Sequence, residues 1–174
     1  SGQCIGATLG NDVNLRDMEG RSALLLGKAK DNNASCAVGP FVRLFDAGYT
    51  MDDVRVSDIA LTVEGVDDFV LEGSSSISQI SRDPEELIAA TINDNHQYPD
   101  GFLLMLGTMF APIQDRDVEG EGFTHKAGDV VTIANDRLGA LVNTVRHCSD
   151  CAPWTFGAAD LMRNLAGRGL LPTA

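Results

Sequence analysis

The sequence predicts a β-rich α+β domain. Three observations carry this: short apolar runs that face each other across tight turns, two well-signposted helices, and no regular alternation of strand and helix such as a parallel sheet needs. At 174 residues and 44% hydrophobic, the chain can bury the core of one ordinary domain. No repeat, low-complexity tract or linker divides it, so residues 1–174 read as a single domain.

The elements follow in order. Cys4 to Leu9 reads as a short buried strand, without an evident local partner, that emerges into a polar turn from Asn11 to Asp17. Met18 to Leu26 reads as a loop with a helical turn. Ile59–Val63 and Phe69–Leu71 flank the Gly-containing connection Glu64–Asp68, which predicts an antiparallel hairpin. Asp83-Pro84-Glu85-Glu86 is a helix start: Asp83 caps, Pro84 takes the first helical position and Glu86 completes a capping box. Leu87, Ile88 and Ile92 then supply the buried stripe of a helix ending near Asp94. Gly101 to Met109 is an apolar run carrying Gly107-Thr108 at its end. Lys126-Ala127-Gly128-Asp129 reads as a turn into the strand Val130–Ala134, which pairs with Leu138–Val145 through Asn135-Asp136-Arg137. Thr155 is the expected cap of a last helix through Ala166, stopped by Gly167 and Gly169 with Pro172 beyond.

Composition narrows the function classes. With 13 basic against 25 acidic residues, the net charge of -12 argues against nucleic acid and against an anionic membrane surface. The acid excess reads as a solvated surface, with some carboxylates available to a bound metal. No apolar run is long enough for a membrane span and no signal segment is visible, so neither membrane nor secretion is indicated. Four cysteines are too few for a disulfide framework. Cys148-Ser149-Asp150-Cys151 has CxxC spacing, but no second pair accompanies it, and Pro153 and a loop are expected after it. Its cysteines read as incidental and reduced, and the expected location is cytoplasmic.

The chemistry-bearing residues cluster early. Asp12 ends an apolar run and can present its carboxylate to a hard cation, or it can cap backbone in an Asn-Asp turn. Arg16 and Asp17 read as a local ion pair on a surface turn. Lys30, between Ala29 and a polar small-residue segment, reads as a solvated lysine or as an ammonium beside a 2-oxo acid, where it stabilises an enolate or moves a proton. The acidic stretch Asp115–Glu121 lacks the calcium-loop pattern and reads as a mobile surface loop. His96 suits either a general acid–base role or a structural turn, and His125 reads as surface. No nucleophile elbow, Walker A or dinucleotide fingerprint is present.

Five segments run in a familiar order: Leu9-Gly10-Asn11-Asp12-Val13-Asn14-Leu15-Arg16-Asp17; Ala29-Lys30 through Ser35-Cys36-Ala37-Val38-Gly39-Pro40; His96-Gln97-Tyr98-Pro99-Asp100-Gly101; Leu106-Gly107-Thr108-Met109-Phe110-Ala111-Pro112; and Gly128-Asp129 followed by Leu138-Gly139 and Asn143. In these the chain resembles the C-terminal catalytic domain of the fumarylacetoacetate hydrolase family, and within it the 2-keto-3-deoxy-pentonate dehydratases of oxidative xylose and arabinose degradation. The resemblance implies rolled, mixed β-sheets with a few helices, and a homodimer or homotetramer. It places Asp12 as a ligand of Mg2+ (Mn2+ or Ca2+ as substitutes), Lys30 as the active-site lysine and Thr108 on the substrate carboxylate. Arg16 falls where a family arginine reaches the site, Asn33 and Glu19 lie beside these positions, and His96 becomes the proton donor to the leaving hydroxyl.

The implied reaction is Mg2+-dependent dehydration of a 2-keto-3-deoxy-pentonate to 2-oxoglutarate semialdehyde. The small-molecule partner is therefore a 2-oxo acid. The alternatives are hydrolysis of a C–C bond in a 2,4-dioxo acid and an inactive folded domain. One departure stands out. The family draws two further metal ligands from a Glu-x-Glu motif upstream of the Asn-Asp segment, whereas no acidic residue precedes Asn11, and Glu119-Gly120-Glu121 lies downstream in another element. The expectation is that residues 1–174 form the C-terminal part of a longer catalytic domain, whose N-terminal portion supplies those ligands.

Overall fold

In the computed structural model, which describes residues 3–107 and 114–171, β1 (Gly6–Asp12) does have a partner. It runs antiparallel to β2 (Cys36–Leu44), with Asp12 opposite Cys36, Leu9 opposite Gly39 and Gly6 opposite Leu44. Sequence hides β2 because Gly39-Pro40 stands in its middle, and a proline cannot donate to a ladder. The pairing accommodates it with a register shift between Ala7 and Leu9, where the Thr8 hydroxyl donates to the Phe41 carbonyl at 2.8 Å. Between the two strands lie the short helices α1 (Arg16–Glu19) and α2 (Leu26–Lys30), separated by a turn of 3-10 helix at Ala23–Leu25.

The one-turn helix α3 (Met51–Arg55) leads into the expected hairpin, β3 (Asp58–Glu64) with β4 (Val70–Ser76). Helix α4 (Pro84–Thr91) begins as the sequence indicates, the Asp83 carboxylate accepting the Glu85 N–H at 2.8 Å. Two details differ. Glu86 faces Arg82 at 3.6 Å instead of completing a capping box, and the helix stops at Thr91, three residues short of the expected end. Strands β5 (Val130–Asn135) and β6 (Gly139–Thr144) close a four-stranded antiparallel sheet in the order β4-β3-β5-β6. Helix α5 (Ala158–Gly167) is capped from within, Asp160 accepting the Gly157 N–H at 3.4 Å, so Thr155 is not its cap. The α+β, β-rich class holds, with both described sheets antiparallel.

Period-two alternation puts Leu61, Val63, Leu71, Val131, Ile133 and Leu141 on one face of the large sheet. One part of that face packs against β1 and β2, where Leu9, Tyr49, Val54, Leu138 and Leu141 form a buried cluster; the other part, Val63, Leu71 and Val131, packs with Phe123 in a second, and Ile133 lies against both. Each fully buried aliphatic such as Val63 or Leu71 contributes roughly 1.5–3 kcal/mol. The opposite face carries Thr62, Glu72, Ser74, Val70 and Val142 and faces outward.

The acidic stretch after residue 114 is not a simple solvated loop. The Arg116 side chain is 2% exposed and grips the fully buried Asp129 carboxylate through two bonds of 2.6 and 3.0 Å. It also reaches Asp67 at 2.5 Å and the Thr124 carbonyl at 3.2 Å, with its guanidinium 4.6 Å above the Phe69 ring. Lys126 extends the network to Asp67 and Asp117 at 2.7 and 2.6 Å. Asp115 closes the loop by accepting the N–H groups of Gly120 and Gly122, each at 2.7 Å. The Arg116 guanidinium holds the carboxyl groups of Asp67 and Asp129 well below the usual carboxylate range.

Candidate active site

The site forms where β1 ends. Asp12 is the last residue of the strand, and the chain beyond it is laced to the segment carrying Lys30. The Val13 N–H donates to Ser35 O and the Leu15 N–H to Ala29 O, both at 2.9 Å. Ala29, fully buried, anchors α2 from below, so Lys30 at the end of that helix points back toward the strand end. The turn after Lys30 is fixed by its own polar groups. Ser35 Oγ donates to Asn32 O at 2.7 Å and to Lys30 O, and Asn32 Nδ2 donates to Lys28 O at 3.0 Å. The result is a direct ion pair between Lys30 Nζ and Asp12 Oδ2, with the two side chains 36% and 40% exposed. Lys28, the other lysine of α2, is exposed and makes no ion pair among the described residues.

Asn11 and Asn14 flank Asp12 along the chain. Asn11 Nδ2 donates to Asn143 Oδ1 at 3.1 Å, tying the strand bearing Asp12 to β6 of the large sheet. Asn14 Nδ2 donates to Glu19, while Asn14 Oδ1 is buried with no hydrogen-bond partner among the described residues. Met105 lies over β1: a Cβ placed on Gly10 would come within 2.8 Å of the Met105 methyl and 2.9 Å of its sulfur. The apolar run that precedes Thr108 therefore crosses the strand end, while Thr108 itself lies outside the described residues.

The other sequence candidates are less closely tied. Arg16 is exposed at the start of α1 and forms no ion pair among the described residues; Asp17 pairs with Arg21 at 3.5 Å, correcting the expected Arg16–Asp17 pair. Asn33 is exposed in the turn between α2 and β2. His96 closes a tight bridge with Asn93, through N–H donations of 2.9 and 3.0 Å, and its ring lies 6.1 Å from that of Tyr98. No hydrogen bond joins it to Asp12 or Lys30 among the described residues. Asn143 is the residue that reading by motif underused. It falls on the same face as Val131 and Leu141, so a polar residue at a core-facing position was the available signal.

A hard cation seeks oxygen ligands. The Asp12 carboxylate and the partnerless Asn14 Oδ1, two residues on, fit one corner of such a shell. Among the described residues no three His, Cys, Asp or Glu side chains gather into a metal site. The Glu119–Glu121 pair belongs to the loop closed by Asp115.

Residues 3–146 match the family model of the fumarylacetoacetate (FAA) hydrolase C-terminal domain. The chain belongs to the fumarylacetoacetate hydrolase family. Within that family it is 30% identical over 149 residues to 2-dehydro-3-deoxy-D-arabinonate dehydratase of Saccharolobus solfataricus, covering 84% of this chain and 45% of that protein. It is 28% identical over 144 residues to a probable 2-keto-3-deoxyxylonate dehydratase of Haloferax volcanii, covering 83% and 46%. The fold matches a solved 2-keto-3-deoxy-D-arabinonate dehydratase complexed with magnesium and 2,5-dioxopentanoate. There the TM-score is 0.64 and the identity 31%, over 81% of this chain and 46% of that one. A hexagonal crystal form of 2-keto-3-deoxyarabinonate dehydratase gives a TM-score of 0.67 at 30% identity, over 81% and 45%. This family member thus spans a little under half the length of the relatives it matches.

Proposed function

We propose that the protein containing this chain dehydrates a 2-keto-3-deoxy-pentonate to 2,5-dioxopentanoate, the semialdehyde of 2-oxoglutarate, with Mg2+ as cofactor. The observation that carries the reading is the Asp12–Lys30 pair at the end of β1, in a chain whose relatives are dehydratases of this substrate class. Asp12 contributes one carboxylate ligand, and polypeptide outside residues 1–174 contributes the others, as part of a longer catalytic domain. Bound there, Mg2+ would supply Lewis-acid polarisation of the 2-oxo acid.

Lys30 sets a positive charge beside the position where the C2 oxygen gains negative charge as C3 loses its proton. Arg16 acts with Lys30 as a catalytic residue, Asn33 binds substrate, and Thr108 takes the substrate carboxylate. His96 delivers the proton to the departing C4 hydroxyl. The assembly is a homodimer or homotetramer. No helix among the described residues is long and apolar enough to cross a membrane; we place the enzyme in the cytoplasm.

The test uses the whole polypeptide that contains residues 1–174, with Mg2+ and a 2-keto-3-deoxy-pentonate. Formation of the semialdehyde is expected. Release of pyruvate from a 2,4-dioxo acid, without dehydration, would instead assign C–C hydrolysis. Lys30→Ala should lower kcat by about 10²–10⁴-fold, the ordinary contribution of a positioned acid–base group, with the circular dichroism spectrum unchanged. Full turnover in that variant would remove Lys30 from the mechanism.

A further inference from the structure

The segment after β6 carries chemistry that dehydration does not use. Cys148 and Cys151 lie beyond residues 3–146, the part matched by the family model. Cys148 opens a turn of 3-10 helix, Cys148–Asp150, shortly after β6 ends at Thr144, and Cys151 follows it directly. The turn is closed by the Asp150 N–H on His147 O at 2.9 Å and by the Cys151 N–H on Cys148 O at 3.3 Å.

That closure sets the distance between the cysteines. An i to i+3 turn brings its end Cα atoms within about 7 Å, and a disulfide spans Cα separations of roughly 4.4–6.8 Å. Cys148 and Cys151 stand at the two ends of this turn, the second in extended backbone. Both are free and half-buried, and Cys151 Sγ donates to His147 O at 3.5 Å, which keeps that thiol folded over the turn. Cys4 and Cys36 have no comparable neighbour. One precedes β1 and the other pairs with its far end at Asp12, so the length of the strand separates them.

We propose that Cys148 and Cys151 form a reversible dithiol–disulfide site that exchanges with low-molecular-weight disulfides. One thiolate attacks a sulfur of the small disulfide, forming a mixed disulfide and expelling one small thiolate. The second thiolate attacks the protein sulfur of that mixed disulfide and expels the other. One S–S bond forms and one breaks, the protein loses two electrons and two protons, and the small disulfide becomes two thiols. The oxidised form ties together the two ends of the turn that leads from β6 toward Trp154 and α5.

The experiment equilibrates the whole polypeptide that contains residues 1–174 with glutathione and glutathione disulfide in varied ratio, alkylates remaining thiols, digests with trypsin and weighs the peptides. Cleavage after Arg146 and Arg163 isolates both cysteines on residues 147–163, apart from Cys4 and Cys36. The expected product is peptide 147–163 lighter by two hydrogen atoms, free of glutathione and restored by dithiothreitol. Cys148→Ser should leave a glutathione adduct on Cys151. The disulfide should also form at a lower proportion of glutathione disulfide in the folded chain than in urea. Peptide 147–163 ending as glutathione adducts, as links between chains or as fully alkylated thiols where Cys36 has already reacted would overturn the proposal, as would equal behaviour in urea.

Discussion

Arg116 is a single residue that turns a run of acids into a folded loop. Its guanidinium is buried with Asp129 and spans to Asp67, so truncating it leaves a carboxylate desolvated without a counter-charge. Arg116→Met is expected to cost about 3–5 kcal/mol, the usual loss when one partner of a buried pair is removed, measured by urea unfolding at neutral pH. The pH dependence has a definite sign. Asp67 and Asp129 have lowered folded-state values, chiefly through their hydrogen bonds with Arg116. Their stabilisation is present above the unfolded carboxylate value of about 3.9 and is lost as pH falls through the lower folded values. The gap between the parent chain and Arg116→Met should therefore narrow below about pH 4; a gap constant from neutral to strongly acid pH would contradict this linkage. His125 acts earlier in the descent. Burial pushes its imidazole down, so the unfolded chain takes up that proton first, and stability begins to fall below about pH 6.5. His125→Gln should remove this first decline and leave the carboxylate limb in place, as read by thermal unfolding across pH.

At the scale of elements, the pairing of β1 with β2 decides where Asp12 stands. Gly6 allows it: a Cβ there would lie 2.3 Å from the Arg43 carbonyl oxygen and 3.0 Å from Leu44 Cα, both backbone atoms. Gly6→Ala must push the strands apart, at a cost of about 1–3 kcal/mol typical of overpacking. Hydrogen exchange should quicken at Phe45, whose N–H bonds Ile5 O, while the β3–β4 amides stay protected; unchanged exchange at Phe45 would mean that the contact relaxes freely. This is also the part of the fold that sequence concealed. The hairpins of the large sheet were legible because alternation and Gly or Asn turns agree at Ile59–Leu71 and Val130–Val145. Strand β2 was not, because Gly39-Pro40 looks locally like a turn and only the register with β1 overrides it. The site divides in the same way. Asp12 and Lys30 were legible through the order of the motifs, and the fold joins them. The Asn11–Asn143 bond spans most of the chain, and no local signal announces which strands will meet. Arg116 looked solvated because its neighbours are acidic, although Asp129 and Phe69 bury it.

At the scale of the whole molecule, two surfaces pull in opposite directions. The two-stranded sheet leaves Ile5, Val38, Phe41, Val42 and Leu44 exposed, the last by 57%. Exposed apolar side chains on a strand that stands at a sheet edge among the described residues favour association. The net charge of -12 opposes it, since two copies approach as like charges. Salt separates these terms. Raising ionic strength from about 0.1 M to about 1 M shortens the Debye length from roughly 10 Å to roughly 3 Å, which weakens the repulsion and leaves apolar burial intact. The 174-residue chain should therefore associate more strongly as salt rises, whereas a contact held by opposite charges would weaken. Sedimentation velocity over a range of concentrations at both salts reads the difference. Phe41→Lys, which adds a charge to an exposed position of β2 and removes no residue from the two buried clusters, should shift the high-salt distribution back toward monomer. A chain that stays monomeric at both salts, or whose association falls as salt rises, would show that the β2 face is not what brings copies together.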